Sequence, residues 1–262
     1  MFEYGYPNWV KRIARSVLSP KAYLALAAWK QYYTGEPELK LLNHLVDPGK
    51  MAIDIGANQG VYTYFLSRLC VHTHAFEPNP DVRRYLAPAM AGVRVTVHDV
   101  ALSDREAKVS LTAPLVSGKL IHGRGKLGSF ETESKEFEEY KEYQVTTATL
   151  DSFGFSNIGF IKIDVEGHEL AVLNGAHELL DKERPVLLVE IERKHDQASV
   201  MEVFALLGKK KYQCWIYDKD AKKTRRMDLD SIADFLDQNL ENDGNKGYVY
   251  NYIFKPGESD GN

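Results

Sequence analysis

The sequence has few cysteines, no excess of basic residues and no apolar run of the length that crosses a bilayer. Cys70 and Cys214 are far apart and lack metal-ligand spacing, which predicts reduced, buried thiols in a cytosolic protein. The net charge of −4 and the pI near 6.1 argue against a nucleic-acid partner. The N-terminus also lacks the pattern of a signal peptide. These absences favour a cytoplasmic enzyme, and 262 residues suffice for one α/β domain with a short appendage.

A glycine-rich turn follows the apolar segment 51–53. It reads Asp54-Ile55-Gly56-Ala57-Asn58-Gln59-Gly60 and leads into an amphipathic helix pattern. Glycine lets a ligand lie against bare backbone, because it has no side chain and accepts positive φ. Dinucleotide loops have the spacing G-x-G-x-x-G, whereas this turn has G-x-x-x-G and opens with a carboxylate that repels phosphate. The turn therefore predicts a site for the ammonium end of an amino-acid-like cofactor, of which S-adenosylmethionine is the common one.

A second signal lies roughly 20 residues beyond this turn, which is the usual distance to the ribose-binding acid. The apolar segment 72–76 ends in Glu77-Pro78-Asn79-Pro80. An acid at the end of the second strand can accept hydrogen bonds from both hydroxyls of a ribose. The alternative is that Glu77 caps the helix that begins near the two prolines. Turn and acid together favour a nucleoside site.

From residue 51 onward the sequence alternates between strand and helix patterns. The predicted strands are 51–55, 72–77, 93–98, 159–164, 186–191 and 211–217, with a last one in 247–254. The predicted helices are 60–69, 80–90, 169–180 and 196–208. This order predicts an α/β fold with a doubly wound, mostly parallel sheet, to which the last strand adds antiparallel near the edge. Ligands are expected at the carboxyl ends of the strands, near the switch in strand order.

Two further regions flank or interrupt this pattern. Residues 1–49 are predicted to form a helical extension to an α/β domain at 50–262. Within the extension, Ser19 and Pro20 begin a helix that ends before Gly35, and Pro37 begins another with a stripe of leucines at 39, 42 and 45.

Residues 107–148 are predicted to be an insertion, a hairpin or lid with strands near 107–113 and 141–147. Insertions at the ligand end of a sheet are where acceptor specificity is usually built. The alternative is a solvated surface loop.

Four stretches in order carry a family resemblance. They are the turn with its helix, 54–63; Phe76-Glu77-Pro78; Ala101-Leu102-Ser103-Asp104; and Thr149-Leu150-Asp151-Ser152-Phe153 leading into Ile161-Lys162-Ile163-Asp164-Val165-Glu166-Gly167-His168-Glu169. From about residue 40 to the C-terminus the chain resembles the FkbM family of S-adenosylmethionine-dependent methyltransferases. The resemblance implies a class I methyltransferase fold, Rossmann-like, that acts on hydroxyl oxygens of sugars or secondary metabolites. The first 35 or so residues fall outside it.

The turn, the spaced acid and the resemblance together give a set of candidate cofactor-binding residues. The resemblance places Asp99 and the adjacent backbone against the adenine edge, although Asp99 could instead cap a turn. Asn58 and Thr63 are expected to support the turn or the methionine carboxylate. The full set is Asp54, Gly56, Asn58, Gly60, Thr63, Glu77, Pro78, Asp99, Val100, Ala101 and Asp164.

Methyl transfer to an alcohol needs a general base or an acidifying metal, because an alcohol is a poor nucleophile. Asp164 ends the strand 159–164, and His168 follows at the start of the next helix. Histidine titrates nearest neutral pH, whereas a carboxylate must be buried to become an effective base. Glu190 and Glu192 are separated by one residue at the end of an apolar strand, so their side chains lie on the same face. The candidate catalytic residues are Asp164, His168 and Glu192.

Simpler interpretations stand beside these assignments. The acids at 164, 190 and 192 could hold a divalent cation through oxygen ligands, but we predict no metal. Glu166 and Glu169 could serve only to complement a helix dipole, His168 could be a surface residue, and Lys162 a salt-bridge partner.

The N-terminal arm leaves the choice of partners open. Trp9, Val10, Ile13 and Val17 form an apolar stripe beside basic residues, a pattern of membrane-surface helices that also suits packing on the same domain or a second subunit. The favoured function is O-methylation of a sugar hydroxyl in a glycolipid, polysaccharide or glycosylated metabolite. The alternatives are methylation of a non-sugar secondary metabolite and a non-catalytic membrane-surface or assembly module.

Overall fold

The computed structural model describes residues 16–116, 119–120, 125–128, 139–192, 197–240 and 248–257. Its strands are β1 (Met51–Ile55), β2 (Thr73–Phe76), β3 (Val95–His98), β4 (Ala101–Leu102), β5 (Ala107–Val116), β6 (Lys119–Leu120), β7 (Lys126–Leu127), β8 (Glu139–Ala148), β9 (Ile158–Ile163), β10 (Val186–Glu190), β11 (Tyr212–Asp218), β12 (Lys223–Met227) and β13 (Asn251–Pro256). Its α-helices are α1 (Pro20–Thr34), α2 (Leu42–Leu45), α3 (Val61–Leu69), α4 (Pro80–Met90), α5 (Glu169–Asn174), α6 (His177–Glu183), α7 (Gln197–Lys209) and α8 (Ile232–Leu240). None of the helices in these ranges is long and apolar enough to span a membrane.

Eight strands form the central sheet, in the order β12-β11-β13-β10-β9-β1-β2-β3. β1 pairs parallel with β2 on one side and with β9 on the other, so the strand order switches between β1 and β9. β13 runs antiparallel between β10 and β11, as predicted for the last strand. The doubly wound, mostly parallel sheet is therefore confirmed, and its switch point is where such sheets bind ligands.

Apolar residues cover both faces of this sheet. On β1, Ile53 and Ile55 face one buried cluster and Ala52 faces the other, which explains why the strand reads as a continuous apolar run. The helix predicted between Ser19 and Gly35 is confirmed as α1, and the Ser19 side chain accepts a hydrogen bond from Ala22 N at 3.3 Å. α1 packs on α3 and α4, and its buried Leu24 and Ala28 belong to the apolar cluster on the Ala52 face of the sheet. The boundary at residue 49 stays a prediction.

The segment 107–148 forms a second sheet. β5 and β8 pair antiparallel from Ala107↔Thr147 to Leu115↔Glu139, which confirms the predicted hairpin and lengthens its strands. β4 adds to β8, and β6 and β7 add to β5. Lys141 Nζ and Tyr143 Oη donate hydrogen bonds to Asp81 Oδ2 on α4, at 2.6 and 2.7 Å. These two bonds hold the second sheet beside the end of β2, where α4 begins.

Three predicted elements differ from the structure. The helix predicted over 169–180 is two helices, α5 and α6, because the chain turns between them at Gly175. Only glycine fits there, since a Cβ would lie 2.0 Å from the Ser103 carbonyl oxygen. The last strand begins at Asn251 rather than 247, because the Asn239 side chain bonds both backbone groups of Val249 at 2.6 and 2.9 Å. Pro37 begins a 3-10 helix, Pro37–Leu41, before the single turn α2. The sequence reasoning also missed β12 and α8.

Candidate active site

An open cleft lies at the carboxyl ends of β1, β2 and β9. Its walls come from the glycine turn, the end of β2, the β3–β4 connection, the second sheet and the segment after β9. The residues that line it are Ile55, Gly56, Asn58, Phe76, Glu77, Pro78, Asn79, Val82, Val100, Ala101, Leu102, Leu111, Gly125, Leu127, Asp164, Val165, Glu166 and His168. Seven of the predicted cofactor residues and two of the predicted catalytic residues, Asp164 belonging to both sets, therefore meet in one cleft.

The glycine turn brings two strand ends into contact. Gly56 has φ +76°, and a Cβ placed on it would lie 1.8 Å from the backbone oxygen of Asp164. The Gly56 and Ala57 amides donate to the Phe76 carbonyl, each at 3.0 Å. Only glycine fits this position, because the backbone of β9 passes directly over it. Gly56 thus places Asp164 beside the turn.

Glu77 is buried, with 7% of its surface exposed, and both of its carboxylate oxygens are held by backbone amides. Oε2 accepts from Asn58 N and Oε1 from Asn79 N, each at 2.8 Å. Each oxygen keeps a further lone pair, so the carboxylate can accept two more donors from the cleft. Burial raises the pKa of Glu77 from 4.5 to about 7, against the lowering effect of the two amides.

Asn58 offers a second group for a ligand. Its backbone is left-handed, with φ +48°, and its side-chain Oδ1 is buried with no hydrogen-bond partner among the described residues. A buried acceptor without a donor is costly, so the site is complete only when a ligand supplies one. Asn58 and Glu77 together present acceptors suited to an ammonium and to ribose hydroxyls. The residues present therefore fit S-adenosylmethionine.

Asp54 and Thr63 lie outside the cleft lining. Asp54 is 2% exposed, and its Oδ2 accepts a hydrogen bond from Thr63 Oγ1 at 2.5 Å. Burial raises the pKa of Asp54 to about 6, although the Thr63 hydroxyl and the Lys162 ammonium both lower it. The bond joins β1 to α3 and so supports the turn between them. Gly60 also lies outside the lining and packs against Leu86.

The segment after β9 carries the ionisable groups of the cleft. The Asp164 side chain is 34% exposed, and burial raises its pKa to about 7 while Lys162 lowers it and Glu166 raises it. Glu166 and Gly167 both have positive φ, which folds the chain sharply before α5. His168 Nε2 shares a hydrogen bond of 2.9 Å with Ser103 Oγ, and burial lowers the pKa of the imidazole. A carboxylate with a pKa near 7 suits proton abstraction at neutral pH.

Two further predicted residues, Asp99 and Glu192, do not line this cleft. The Asp99 side chain is 80% exposed and lies 4.0 Å from Arg83 Nη2, whereas the neighbouring Val100 and Ala101 do line the cleft. Glu192 follows β10 and is partly buried, but it is not among the described residues that line the cleft. The Trp9 to Ile13 part of the N-terminal arm lies outside the described residues.

Sequence reasoning missed several contributors. Leu111 and Leu127 of the second sheet line the cleft, and Ser103 holds His168. Ser103 stands in one of the four family stretches, so a signal for it was present. Lys162 also stands in one of these stretches, and its interpretation as a salt-bridge partner is confirmed by Asp164 and Glu190 at 3.8 and 3.7 Å, but no sequence pattern identified those partners. No group of three or more His, Cys, Asp or Glu side chains in the described part of the chain is arranged to hold a metal ion.

The strand order with an antiparallel β13 between β10 and β11, the glycine turn after β1 and the acid after β2 define a class I methyltransferase. A family model, the methyltransferase FkbM domain, matches residues 54–248. The curated 31-O-demethyl-FK506 methyltransferase FkbM of Streptomyces tacrolimicus is 30% identical over 196 residues, which cover 63% of this chain and 74% of that protein. The chain belongs to the FkbM family of S-adenosylmethionine-dependent methyltransferases.

Solved structures are more distant in sequence. Methyltransferase FkbM from Methylobacillus flagellatus KT is 16% identical with a TM-score of 0.48, and the match covers 93% of this chain. The chain spans 57% of that longer protein. A Streptococcus mutans methyltransferase solved in complex with SAH is 11% identical with a TM-score of 0.45, over 84% of this chain and 96% of that one.

Proposed function

We propose that the chain transfers a methyl group from S-adenosylmethionine to a hydroxyl oxygen of a small acceptor, with Asp164 as the general base. The observation that carries this proposal is the position of Asp164, whose backbone lies against Gly56 and whose partly exposed carboxyl group lines the cleft with a pKa raised to about 7. A base in this place serves an acceptor that must lose a proton, as a hydroxyl does.

S-adenosylmethionine supplies, when bound, a methyl group on a sulfonium, which is a strong electrophile. Glu77 accepts hydrogen bonds from the two ribose hydroxyls through its remaining lone pairs. Asn58 Oδ1 accepts from the ammonium. The backbone at Val100 and Ala101 meets the adenine, while the Asp99 side chain stays in solvent. Asp54 and Thr63 act indirectly, by holding the turn.

The chain's task in the chemical step is to orient the acceptor and to take its proton. Asp164 would accept the hydroxyl proton as the O–H bond breaks, and the proton would stay on the carboxyl group. The methyl carbon would exchange its bond to sulfur for a bond to the acceptor oxygen, and the electron pair of the broken C–S bond would stay on the sulfur of the demethylated product. Placement of the oxygen about 3 Å from the reacting carbon supplies much of the rate. His168, which Ser103 orients, contacts the acceptor on the α5 side of the cleft. Glu192 assists in acceptor binding beyond β10.

Two classes of acceptor compete. Carboxylates at Asp164 and Glu166, beside His168, favour a sugar in a glycolipid, polysaccharide or glycosylated metabolite, because each group can hold a separate hydroxyl. The Streptomyces relative is named for 31-O-demethyl-FK506, which favours a hydroxyl on a non-sugar secondary metabolite. A small molecule is preferred to nucleic acid because the chain has a net charge of −4. Contact of the N-terminal arm with a membrane or a second subunit stays a further proposal.

Incubation with methyl-labelled S-adenosylmethionine tests the proposal. Glycan extracts, glycolipid extracts and hydroxylated secondary metabolites are offered separately, and mass spectrometry locates the label. The wild-type protein is expected to label an oxygen of a glycan or glycolipid, and Asp164→Asn is expected not to. Label on oxygen in the metabolite pool alone selects the second acceptor class. Label on nitrogen or carbon alone contradicts the proposal.

A further inference from the structure

Lys162 is a buried cation beside the proposed base. Its side chain is 1% exposed, and its Nζ lies 3.8 Å from Asp164 Oδ2 and 3.7 Å from Glu190 Oε2. The ammonium also donates to Asn251 Oδ1 at 3.4 Å. Lys162 is not among the described residues that line the cleft, so it cannot act on a ligand there directly. The Lys162 ammonium therefore contacts Asp164 on the side of that residue that faces away from the cleft.

Two carboxyl groups lie beside this one ammonium. Burial lowers the pKa of Lys162, but the carboxyl groups of Asp164 and Glu190 outweigh it and leave the pKa raised. Burial and Asp164 together hold the pKa of Glu190 well above its ordinary value. Like charges that share a cation repel one another, so Asp164 ionises first and Glu190 stays protonated beside it.

The position of Lys162 is fixed by segments distant in sequence. Asn251 on β13 donates through Nδ2 to Glu36 Oε2 at 3.3 Å, and Tyr62 Oη on α3 donates to the same oxygen at 2.5 Å. The N-terminal segment, α3 and β13 thus converge on the lysine. The Lys162 ammonium lies 5.2 Å from the centre of the Tyr62 ring. The charged groups that act on Asp164 and Lys162 from the surrounding elements are Glu36, Glu38, Asp54, Glu166, Glu169 and Glu190.

We propose that Lys162 is a positioning residue for methyl transfer, which holds the Asp164 carboxylate in place and in its charged form, while Glu190 stays protonated and leaves the ammonium to Asp164. This rests on the proposed role of Asp164 as general base. Lys162 keeps its proton throughout the reaction, and the acceptor's proton goes to Asp164 alone. Lys162 thereby sets the pH at which Asp164 becomes available.

The test measures the titration midpoint of Asp164 directly and needs no acceptor molecule. Protein with ¹³C-labelled aspartate carboxyl groups is titrated by NMR, and the Asp164 signal is the one missing in Asp164→Asn. Lys162→Met is expected to move the Asp164 midpoint up by about 1–3 pH units, the usual effect of a close opposite charge. Lys162→Arg is expected to restore it. Glu190→Gln is expected to leave the midpoint within about 0.3 units of wild type, because glutamine replaces a carboxyl group that is still protonated where Asp164 titrates.

Lys210→Met is the matched control. Lys210 Nζ lies 2.6 Å from Asp181 Oδ1, but the residue precedes β11 and so lies at the edge of the sheet opposite the cleft. It should leave the Asp164 midpoint unchanged. A midpoint within about 0.3 units of wild type in Lys162→Met would overturn the inference, and so would a Glu190→Gln midpoint about one unit below wild type, because Glu190 would then be the ionised partner of the ammonium. If Lys162→Met does not fold, Glu190→Gln alone decides. Normal methyl transfer by Asp164→Asn would instead refute the proposed base.

Discussion

Replacement of Glu77 by alanine should weaken the binding of S-adenosylmethionine. In the folded protein both carboxylate oxygens are fixed by the amides of Asn58 and Asn79 at 2.8 Å, so they meet a ribose without reorganisation. Loss of the carboxylate leaves two ribose hydroxyls without acceptors in a buried place, at a cost of about 1–3 kcal/mol. Since about 1.4 kcal/mol is a tenfold change, the Kd should rise about 5- to 150-fold.

The raised pKa of Glu77 predicts that protein stability and cofactor affinity both depend on pH. Burial raises the pKa of Glu77 from 4.5 to about 7, so in the free protein its contribution to stability is present below about pH 4.5 and lost as the pH rises through about 7. Cofactor binding has the opposite sign, because the ionised carboxylate is the better acceptor. Affinity should therefore be about tenfold weaker at pH 6 than at pH 8, by proton linkage.

Calorimetric titration with S-adenosylmethionine at pH 6 and pH 8 checks both effects. Glu77→Gln is the second variant, because the amide keeps one acceptor oxygen and cannot ionise. It should therefore bind weakly and lose the pH dependence that Glu77 contributes. Glu178→Gln is the control, since Glu178 is exposed on α6. Unchanged affinity in folded Glu77→Ala at both pH values would refute the ribose assignment.

Three further outcomes follow from the site. Asp164→Asn should slow methyl transfer in single-turnover assays by about 100- to 10,000-fold while the protein stays folded. His168→Ala and Glu192→Gln should each cause a separate defect in turnover or in acceptor binding. Rates near wild type in all three variants would show that other residues carry the chemistry. Chelator treatment should leave the activity unchanged, and an activity that magnesium, calcium or manganese restores would show that the acids hold a metal. Gly56→Ala should lower the melting temperature by more than about 4 °C, because the alanine combines left-handed backbone strain with a backbone clash. Gly154→Ala is the control, since its Cβ would meet nothing within 4 Å, and its melting temperature should fall less. Equal decreases in the two variants would argue against the clash.

The sequence predicted the features of the fold and the site that depend on residues close together in the chain. The turn at 54–60 and the acid at 77 each follow an apolar strand, and period and spacing alone bring them to one sheet edge. Gly56 was predicted for its conformational freedom. The structure adds that the backbone of Asp164 lies against it, which no local pattern could show.

The parts that sequence missed depend on side-chain direction and on distant segments. Asp54 was predicted to bind the cofactor, and this stays a prediction; the contact that the sequence did not show is the hydrogen bond that Thr63 Oγ1 donates to its Oδ2. Asp99 follows a strand that ends one residue earlier, and its side chain points to solvent near Arg83. The Lys162 contacts join residues 36, 62, 190 and 251, so only the fold brings them together.

The most direct test of the central claim is a crystal structure of the protein with S-adenosylhomocysteine, the demethylated product. The account predicts both ribose hydroxyls within hydrogen-bonding distance of the Glu77 carboxylate, about 2.5–3.0 Å. It predicts the amino group beside Asn58 and the sulfur on the side of the cleft that Asp164 lines. A ribose held away from Glu77, or a sulfur that faces away from Asp164, would contradict the account.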